Sequence, residues 1–305
     1  MDEANTGMIR FHYSQEQLYC NQSIHQIVSV NTIILNSSSW GVYNDFSRYL
    51  KLVESFDYPH SCIHLNLLAF DESEYESLKT QVSQSKPLFA YVTLLHPVKS
   101  LVERAISNQG VEQKSQKAKL AALRNLLVYS SLNSKVNGVF WMDANMAHVP
   151  HNLVREILDS GHDIVTPHSK LKHRPHIEHD LSTWIGPRAK PTEEEFIGIR
   201  DGSLEFTPHN TPATKLIRES NANERSERYV EVTSVGGAFL FVRADIHRLG
   251  ISFPPYYAVG AQDWDMKEGY DGIDTEGICF LARTVGFKCW GMPHEKDEVL
   301  LNEIL

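Results

Sequence analysis

Apolar residues recur along this chain with two alternating periods. Ile27 to Leu35 and Cys62 to Phe70 are apolar runs of strand length, and Leu88 to Leu95 is a third, rich in aromatic and β-branched residues. Between them the spacing turns helical. Phe46, Tyr49, Leu50 and Val53 share one helix face, and Tyr58-Pro59-His60 stops it. Glu74 to Gln84 follows Asp71, which stands where a helix cap is expected. Lys114 to Tyr129 carries Leu120, Leu123 and Leu127 at helical spacing, with Ala121 and Ala122 favouring helix. That helix feeds a further apolar strand, Val136 to Met142, which ends abruptly in Asp143-Ala144-Asn145. A proline-started helix from Pro150 to Ser160 then leads to the strand Asp163 to Pro167. Strand and helix in alternation imply a right-handed, mostly parallel sheet flanked by helices, an α/β fold.

The rhythm fails outside this region. Residues 1–23 are polar and mixed and read as a loose N-terminal arm, so a single domain is expected over 24–305. Its nucleotide-binding type of α/β unit spans 24–167. Residues 168–230 hold many charges, several prolines and His168, His173, His176 and His179, and read as variable, solvated loops rather than as a zinc site. Regularity returns over 231–305. Glu231 to Val242 reads as a strand pair or a bent strand around Gly236-Gly237, a glycine pair that permits a bulge or close backbone approach to a ligand. Arg243 to His247 begins a short helix, and Phe253-Pro-Pro-Tyr-Tyr257 is a rigid aromatic loop. Asp271 to Gly277 opens a helix that runs through Arg283, and Phe287 to Met292 is the last expected strand.

Composition narrows the function classes. The 305 residues are 42% hydrophobic and 22% charged, as in an ordinary globular chain. A net charge of -9 gives no support for sequence-independent binding to nucleic acid or anionic lipid. No apolar run approaches membrane-spanning length and no signal peptide is recognisable at the start, so the chain as given is expected to be soluble. Cys20, Cys62, Cys279 and Cys289 lack C-x-x-C spacing. They read as buried free thiols, with a Cys279–Cys289 bridge as the alternative in an oxidising lumen. Asn21 and Asn36 head Asn-x-Ser tripeptides. Neither a G-x-G-x-x-G nor a G-x-x-x-x-G-K-[ST] motif occurs, which removes the usual support for dinucleotide or ATP binding.

The candidate chemistry lies at Asp143. An apolar strand that delivers a carboxylate to its C-terminal end is how open α/β sheets build ligand sites. With Asn145 two residues on, the tripeptide is capable of holding a hard divalent cation through oxygen.

Further motifs, in order, resemble the fungal Golgi α-mannosyltransferase family of the mannan polymerase complexes, which has a glycosyltransferase A-type fold. They are Tyr58-Pro-His-x-x-Ile63-x-Leu65, Ala122-Leu-Arg124-Asn125-Leu-Leu, Val139-Phe-Trp-Met-Asp143, Asp163-Ile-Val-Thr-Pro167, Val235-Gly236-Gly237, Asp274-Thr-Glu276-Gly277 and Gly291-Met-Pro293. Coverage runs from about Ile24 to Pro293. The resemblance implies transfer of mannose from GDP-mannose to a mannan or N-glycan acceptor with retention, with Mn2+ as cofactor, in the Golgi lumen. It implies Asp143, Asn145 and His294 as metal ligands, and Asp71, Arg124, Asp143, Gly236 and Gly237 around the donor. Glu276 and Asp274 are the catalytic candidates, and the 231–305 portion the acceptor side. The chain departs from the family where Asn145 replaces the second Asp of Asp-x-Asp and where His294 follows Pro293 earlier than the pattern expects; both lower the expected metal affinity. The alternative is a non-catalytic or weakly active subunit of a transferase complex, joined to related transferases in a homo- or hetero-oligomer.

Overall fold

The computed structural model describes residues 8–15, 18–42, 44–97, 112–175, 179, 181–201, 203–204, 214–220, 222–261 and 269–304. Its strands in chain order are β1 (Met8–Ser14), β2 (Ile27–Ile34), β3 (Ile63–Ala69), β4 (Tyr91–Pro97), β5 (Val136–Met142), β6 (Met146–His148) and β7 (Ile164–Pro167). There follow β8 (Ser169–Leu171), β9 (Trp184–Ile185), β10 (Lys215–Leu216), β11 (Val230–Val232), β12 (Phe239–Arg243), β13 (Cys289–Met292) and β14 (Val299–Leu301). The helices are α1 (Phe46–Glu54), α2 (Glu72–Ser85), α3 (Glu112–Ser131), α4 (Leu153–Ser160), α5 (Glu193–Asp201), α6 (Ala222–Ser226), α7 (Ala244–Arg248) and α8 (Thr275–Thr284).

Among the described residues one large sheet has the order β1-β4-β3-β2-β5-β12-β7-β13-β11. β2, β3, β4, β5, β7 and β13 run in one direction, and β1, β12 and β11 oppose them, so the sheet is mostly parallel. Every residue of β3 is buried, as expected for a parallel strand covered on both faces. The chain moves outward through β2, β3 and β4 and then returns to place β5 on the other side of β2. That reversal is a topological switch point, and ligands of open α/β sheets lie outside the carboxyl ends of the strands beside such a point.

Four expectations are corrected. The N-terminal stretch is not all loose, because Met8–Ser14 pairs antiparallel with β4. The third strand starts at Tyr91, not Leu88, since Tyr91 is the first residue in register with both His64 of β3 and Ser14 of β1. All four cysteines are bridged, Cys20 to Cys62 and Cys279 to Cys289; the second bridge ties α8 to β13. Phe287 to Met292 does not hold the last strand, because β14 follows and joins β6 and β8 in a small three-stranded sheet.

The segment expected as solvated loops is also built into the fold. β9 pairs with β10, and Trp184, Thr183, Ile199, Leu216 and Ile217 are all buried. An indole as large as Trp184 supplies an anchor that a segment without apolar periodicity does not announce.

Candidate functional site

The position of Asp143 follows from β5. Thr32 of β2 donates its hydroxyl to the Met142 carbonyl at 2.8 Å and hydrogen-bonds Tyr49 of α1, which fixes the strand end. The Asp143 N–H donates to the Ala238 carbonyl at 2.9 Å. The half-buried side chain is thereby held at the carboxyl edge of the sheet, beside the switch point.

The neighbour that organises this edge is Arg124. α3 sets Lys117, Leu120 and Arg124 along one face, at helical spacing. Arg124 is buried and forms an ion pair with Asp274. Its guanidinium lies over the Phe253 ring, 5.6 Å from the centroid. Phe253 is itself clamped: its N–H donates to Asn125 Oδ1 at 2.8 Å, and Asn125 Nδ2 donates to its carbonyl at 2.6 Å. A Cβ on Gly237 would stand 2.6 Å from Arg124 Nη2, so this glycine makes room for the guanidinium. The Gly236 N–H donates to Thr183 Oγ1 at 2.9 Å. The glycine pair thus sits between β11, which pairs with β13, and β12, which lies between β5 and β7.

Asp274 precedes α8 with φ +59° and ψ −131°, a conformation rare for a residue with a side chain. It is held there by its N–H donating to the Pro254 carbonyl at 2.8 Å, and by the Gly277 N–H donating to its own carbonyl at 3.1 Å. One carboxylate oxygen meets Arg124, while the buried Oδ1 has no hydrogen-bond partner among the described residues. Glu276, in the first turn of α8, accepts from Ser182 Oγ at 2.8 Å and Lys117 Nζ at 3.2 Å. Its backbone carbonyl accepts from Arg188, which also pairs with the buried Asp271 and lies over Trp184.

The electrostatics follow from this packing. Burial pushes the Asp143 carboxyl up to about 6; Arg124 opposes the shift and Asp274 adds to it. Burial works against the charge of Arg124, but Asp274 and Asp143 more than offset it and hold its pKa above the ordinary value. Burial lowers Arg188 to about 10, against the pull of Glu276 and Tyr270.

Six predicted residues therefore meet. Arg124, Asp143, Gly236, Gly237, Asp274 and Glu276 line one cleft of about 410 Å³, together with Lys117, Ser169, His179 and Ser182. Three do not line it. Asp71 caps α2, accepting from the N–H groups of Ser73 and Glu74. Asn145 is buried and donates its Nδ2 to the Asn302 carbonyl at 2.7 Å, while its own carbonyl accepts from the Asn302 N–H at 2.8 Å. It ties the turn after β5 to the chain after β14. His294 caps the turn Glu295–Asp297, with Nδ1 accepting from the Lys296 N–H at 3.2 Å. Among the described residues no three His, Cys, Asp or Glu side chains group so as to hold a metal ion. A larger cavity of about 940 Å³, lined by Arg48, Met146, Lys172 and Asn302 among others, lies beyond the Asn145 turn and contains none of the clustered carboxylates.

Lys117, Ser182 and Arg188 were not singled out from the sequence, and His179 was read only as part of a solvated loop. Lys117 was open to it, standing seven residues before Arg124 on the same helix. Ser182, His179 and Arg188 sit in the aperiodic segment, where only the fold reveals that Ser182 and Arg188 meet Glu276 of α8 and that His179 lines the cleft.

The fold is mixed α/β, a large mostly parallel sheet flanked by helices with a carboxylate-lined cleft beside β5. The chain belongs to the Anp1 family, whose model matches residues 19–257, more than half of its length. It is 23% identical over 271 residues to the mannan polymerase complex subunit mnn9 of Schizosaccharomyces pombe, covering 82% of this chain and 75% of that relative. It is 22% identical over 276 residues to the mannan polymerase II complex ANP1 subunit of Saccharomyces cerevisiae, covering 82% and 52%. Among solved structures, the mannosyltransferase PcManGT from Pyrobaculum calidifontis, in complex with GDP-Man and Mn2+, superposes with a TM-score of 0.47 and 12% identity, over 92% of this chain and 59% of that one.

Proposed function

We propose that this protein is a subunit of a glycosyltransferase complex and transfers mannose from GDP-mannose to a mannan or N-glycan acceptor with retention. The observation that carries the reading is the convergence of Asp143, Asp274 and Glu276 around Arg124 in one cleft at the carboxyl edge of β5. The donor is a dianionic diphosphate, and the sugar it releases passes through an oxocarbenium-like state. Lys117 and Arg124 supply positive charge to the donor, and Glu276 and Asp274 are the carboxylates set to face the reacting carbon or the acceptor hydroxyl.

The residues suit a shared ion better than a protein-only cage. Small hard cations are commonly held by one or two carboxylates together with substrate phosphates. Asp143 and Oδ1 of Asp274, which has no hydrogen-bond partner among the described residues, match that donor set. An ion bound there would neutralise charge on the departing diphosphate. Two disulfides favour an oxidising compartment such as the Golgi lumen. No described helix is long and apolar enough to cross a membrane.

A second reading has its own support. Asn145 is tied to Asn302, His294 serves as a cap, and no three-residue metal group is present among the described residues, all of which suit a non-catalytic subunit. Calorimetry with GDP, with and without manganese, separates the two. Manganese-dependent GDP binding that Asp143→Ala abolishes supports the catalytic reading. No nucleotide binding at any manganese concentration overturns it and leaves the partner role.

A further inference from the structure

The two Asn-x-Ser tripeptides lie at opposite ends of β2, and the sheet gives those ends different surroundings. Asn36 follows the carboxyl end, on the edge that carries Asp143, where its Oδ1 accepts from the Ser38 N–H at 3.0 Å and the Ser38 hydroxyl at 2.7 Å to cap the turn Ser37–Trp40. Asn21 precedes the amino end, on the edge away from the cleft. Asn21, Gln22 and Ser23 are all exposed. They form a closed turn, with the Asn21 carbonyl accepting from the N–H groups of Ile24 and His25 at 3.0 and 2.9 Å.

Within that turn the Ser23 hydroxyl donates to Asn21 Oδ1 at 2.5 Å, and the Ser23 N–H approaches it at 3.3 Å. These contacts engage the amide oxygen, and Asn21 Nδ2 makes no hydrogen bond to another described residue. Immediately before Asn21, the buried Cys20 is bridged to Cys62 at the start of β3, so the turn is anchored while its asparagine stays outside. The same bridge, with Cys279–Cys289, leaves no cysteine free. A fully disulfide-bonded chain belongs to an oxidising compartment, where asparagine-linked glycosylation also takes place.

We propose that Asn21 is an N-glycosylation site, modified at Nδ2. The reaction forms a bond from Nδ2 to the anomeric carbon of a lipid-diphosphate-linked oligosaccharide. The carbon–oxygen bond to the diphosphate breaks, the lipid diphosphate departs with the electron pair, and the amide gives one proton to a base of the host transferase. A bulky, solvated glycan fits this edge because it projects from an exposed turn and leaves the cleft beside β5 open. The inference rests on the exposed turn and the disulfides and holds whether or not the cleft turns over a sugar nucleotide.

The test is to send the full chain into the secretory pathway of a eukaryotic host behind a cleavable leader, then treat the secreted protein with a peptide N-glycan amidase. The expected result is a downward mobility shift in the parent, loss of the glycan on Asn21 in both Asn21→Gln and Ser23→Ala, and its retention in Asn36→Gln. Amidase digestion in heavy-oxygen water should leave its mass label on the peptide that contains position 21. Thiol labelling of the two variants, expected to be negative, confirms that both bridges formed and that the loss is not misfolding. A secreted parent without amidase-sensitive mass, or an unlabelled peptide at position 21, overturns the proposal.

Discussion

The two halves of this chain reach their structures by different means. From β2 to β7 the placing force is apolar burial, because each strand and helix presents a periodic face to one core. From β8 onward β12, α7, α8 and β13 add to that same core, but polar contacts far apart in sequence join apolar burial in placing the cleft residues. Arg188 grips Asp271 and the Glu276 carbonyl, Arg124 grips Asp274, Asn145 grips Asn302, and a disulfide joins α8 to β13. A periodic core tolerates local change because many contacts share the load. A set of clamps does not, since Arg124 and Arg188 each hold one particular carboxylate or carbonyl of the cleft in position.

The glycines offer the sharpest break in that comparison. A Cβ on Gly277 would fall 1.9 Å from the Gly272 carbonyl and 2.4 Å from Pro254 Cγ, so backbone would have to move at the start of α8. Gly277→Ala should cost at least about 4 kcal/mol, the exceptional end of single substitutions, and displace Asp274 and Glu276. In the periodic half, Gly161 ends α4 with φ +68°, and a Cβ added there would meet nothing within 4 Å. Gly161→Ala should cost about 1 kcal/mol, from backbone strain alone. Denaturant titration of both variants checks the contrast, and equal costs would contradict it.

Arg188 comes next. Arg188→Met removes the partner of a buried carboxylate, Asp271, and the donor to the Glu276 carbonyl. Breaking a buried pair from one side costs about 3–4 kcal/mol. The expected readout is a large fall in stability together with weaker GDP binding. Stability loss with unchanged nucleotide affinity would show that the clamp supports the fold but not the site.

This division also explains what the sequence disclosed. β5, the turn into Asp143 and the helix bearing Arg124 were legible because a 7-residue apolar strand and the helical spacing of Leu120, Leu123 and Leu127 announce themselves. Asp274 and Glu276 were legible as a cluster opening a helix. Ser182 and Arg188 were not, because their partner lies 94 and 88 residues away and neither sits in a periodic stretch. Asn145 was legible as a polar residue near the site but not in its role, which depends on a carbonyl 157 residues further on. The cysteine bridges needed the same long-range information: Cys20 and Cys62 are 42 residues apart and come together only when β3 forms.

Asp143 marks the point where the two halves meet, and its charge is costly. Its folded pKa of about 6 lies above the unfolded carboxylate value near 4, so the native state favours the protonated form. The cost of ionisation is therefore present in full above about pH 6 and fades as the pH falls toward 4. Asp143→Asn, which keeps the shape without the charge, should stabilise the fold by about 2 kcal/mol at pH 7.5 and by less at pH 5. The same variant should lose manganese-dependent GDP binding, and the parent's binding should weaken as the pH falls through 6. Thermal melts across that range, paired with calorimetry, check both signs. A variant that is no more stable than the parent at pH 7.5 would mean that the carboxylate is not strained by burial.

Asp71 supplies the smallest and most discriminating effect, since from sequence it was open to two roles, a helix cap and a donor contact. Its Oδ1 accepts from the Ser73 N–H at 2.9 Å and the Ser73 hydroxyl at 2.5 Å, both within the first turn of α2. These bonds satisfy a helix end that would otherwise lose a partner. Asp71→Ala should therefore cost about 1 kcal/mol of stability and leave GDP affinity unchanged. Asp71→Asn, which keeps a capping oxygen, should recover most of the loss. A nucleotide-affinity defect in both variants would instead place Asp71 at the donor, and would extend the polar, position-critical part of the molecule back into its periodic half.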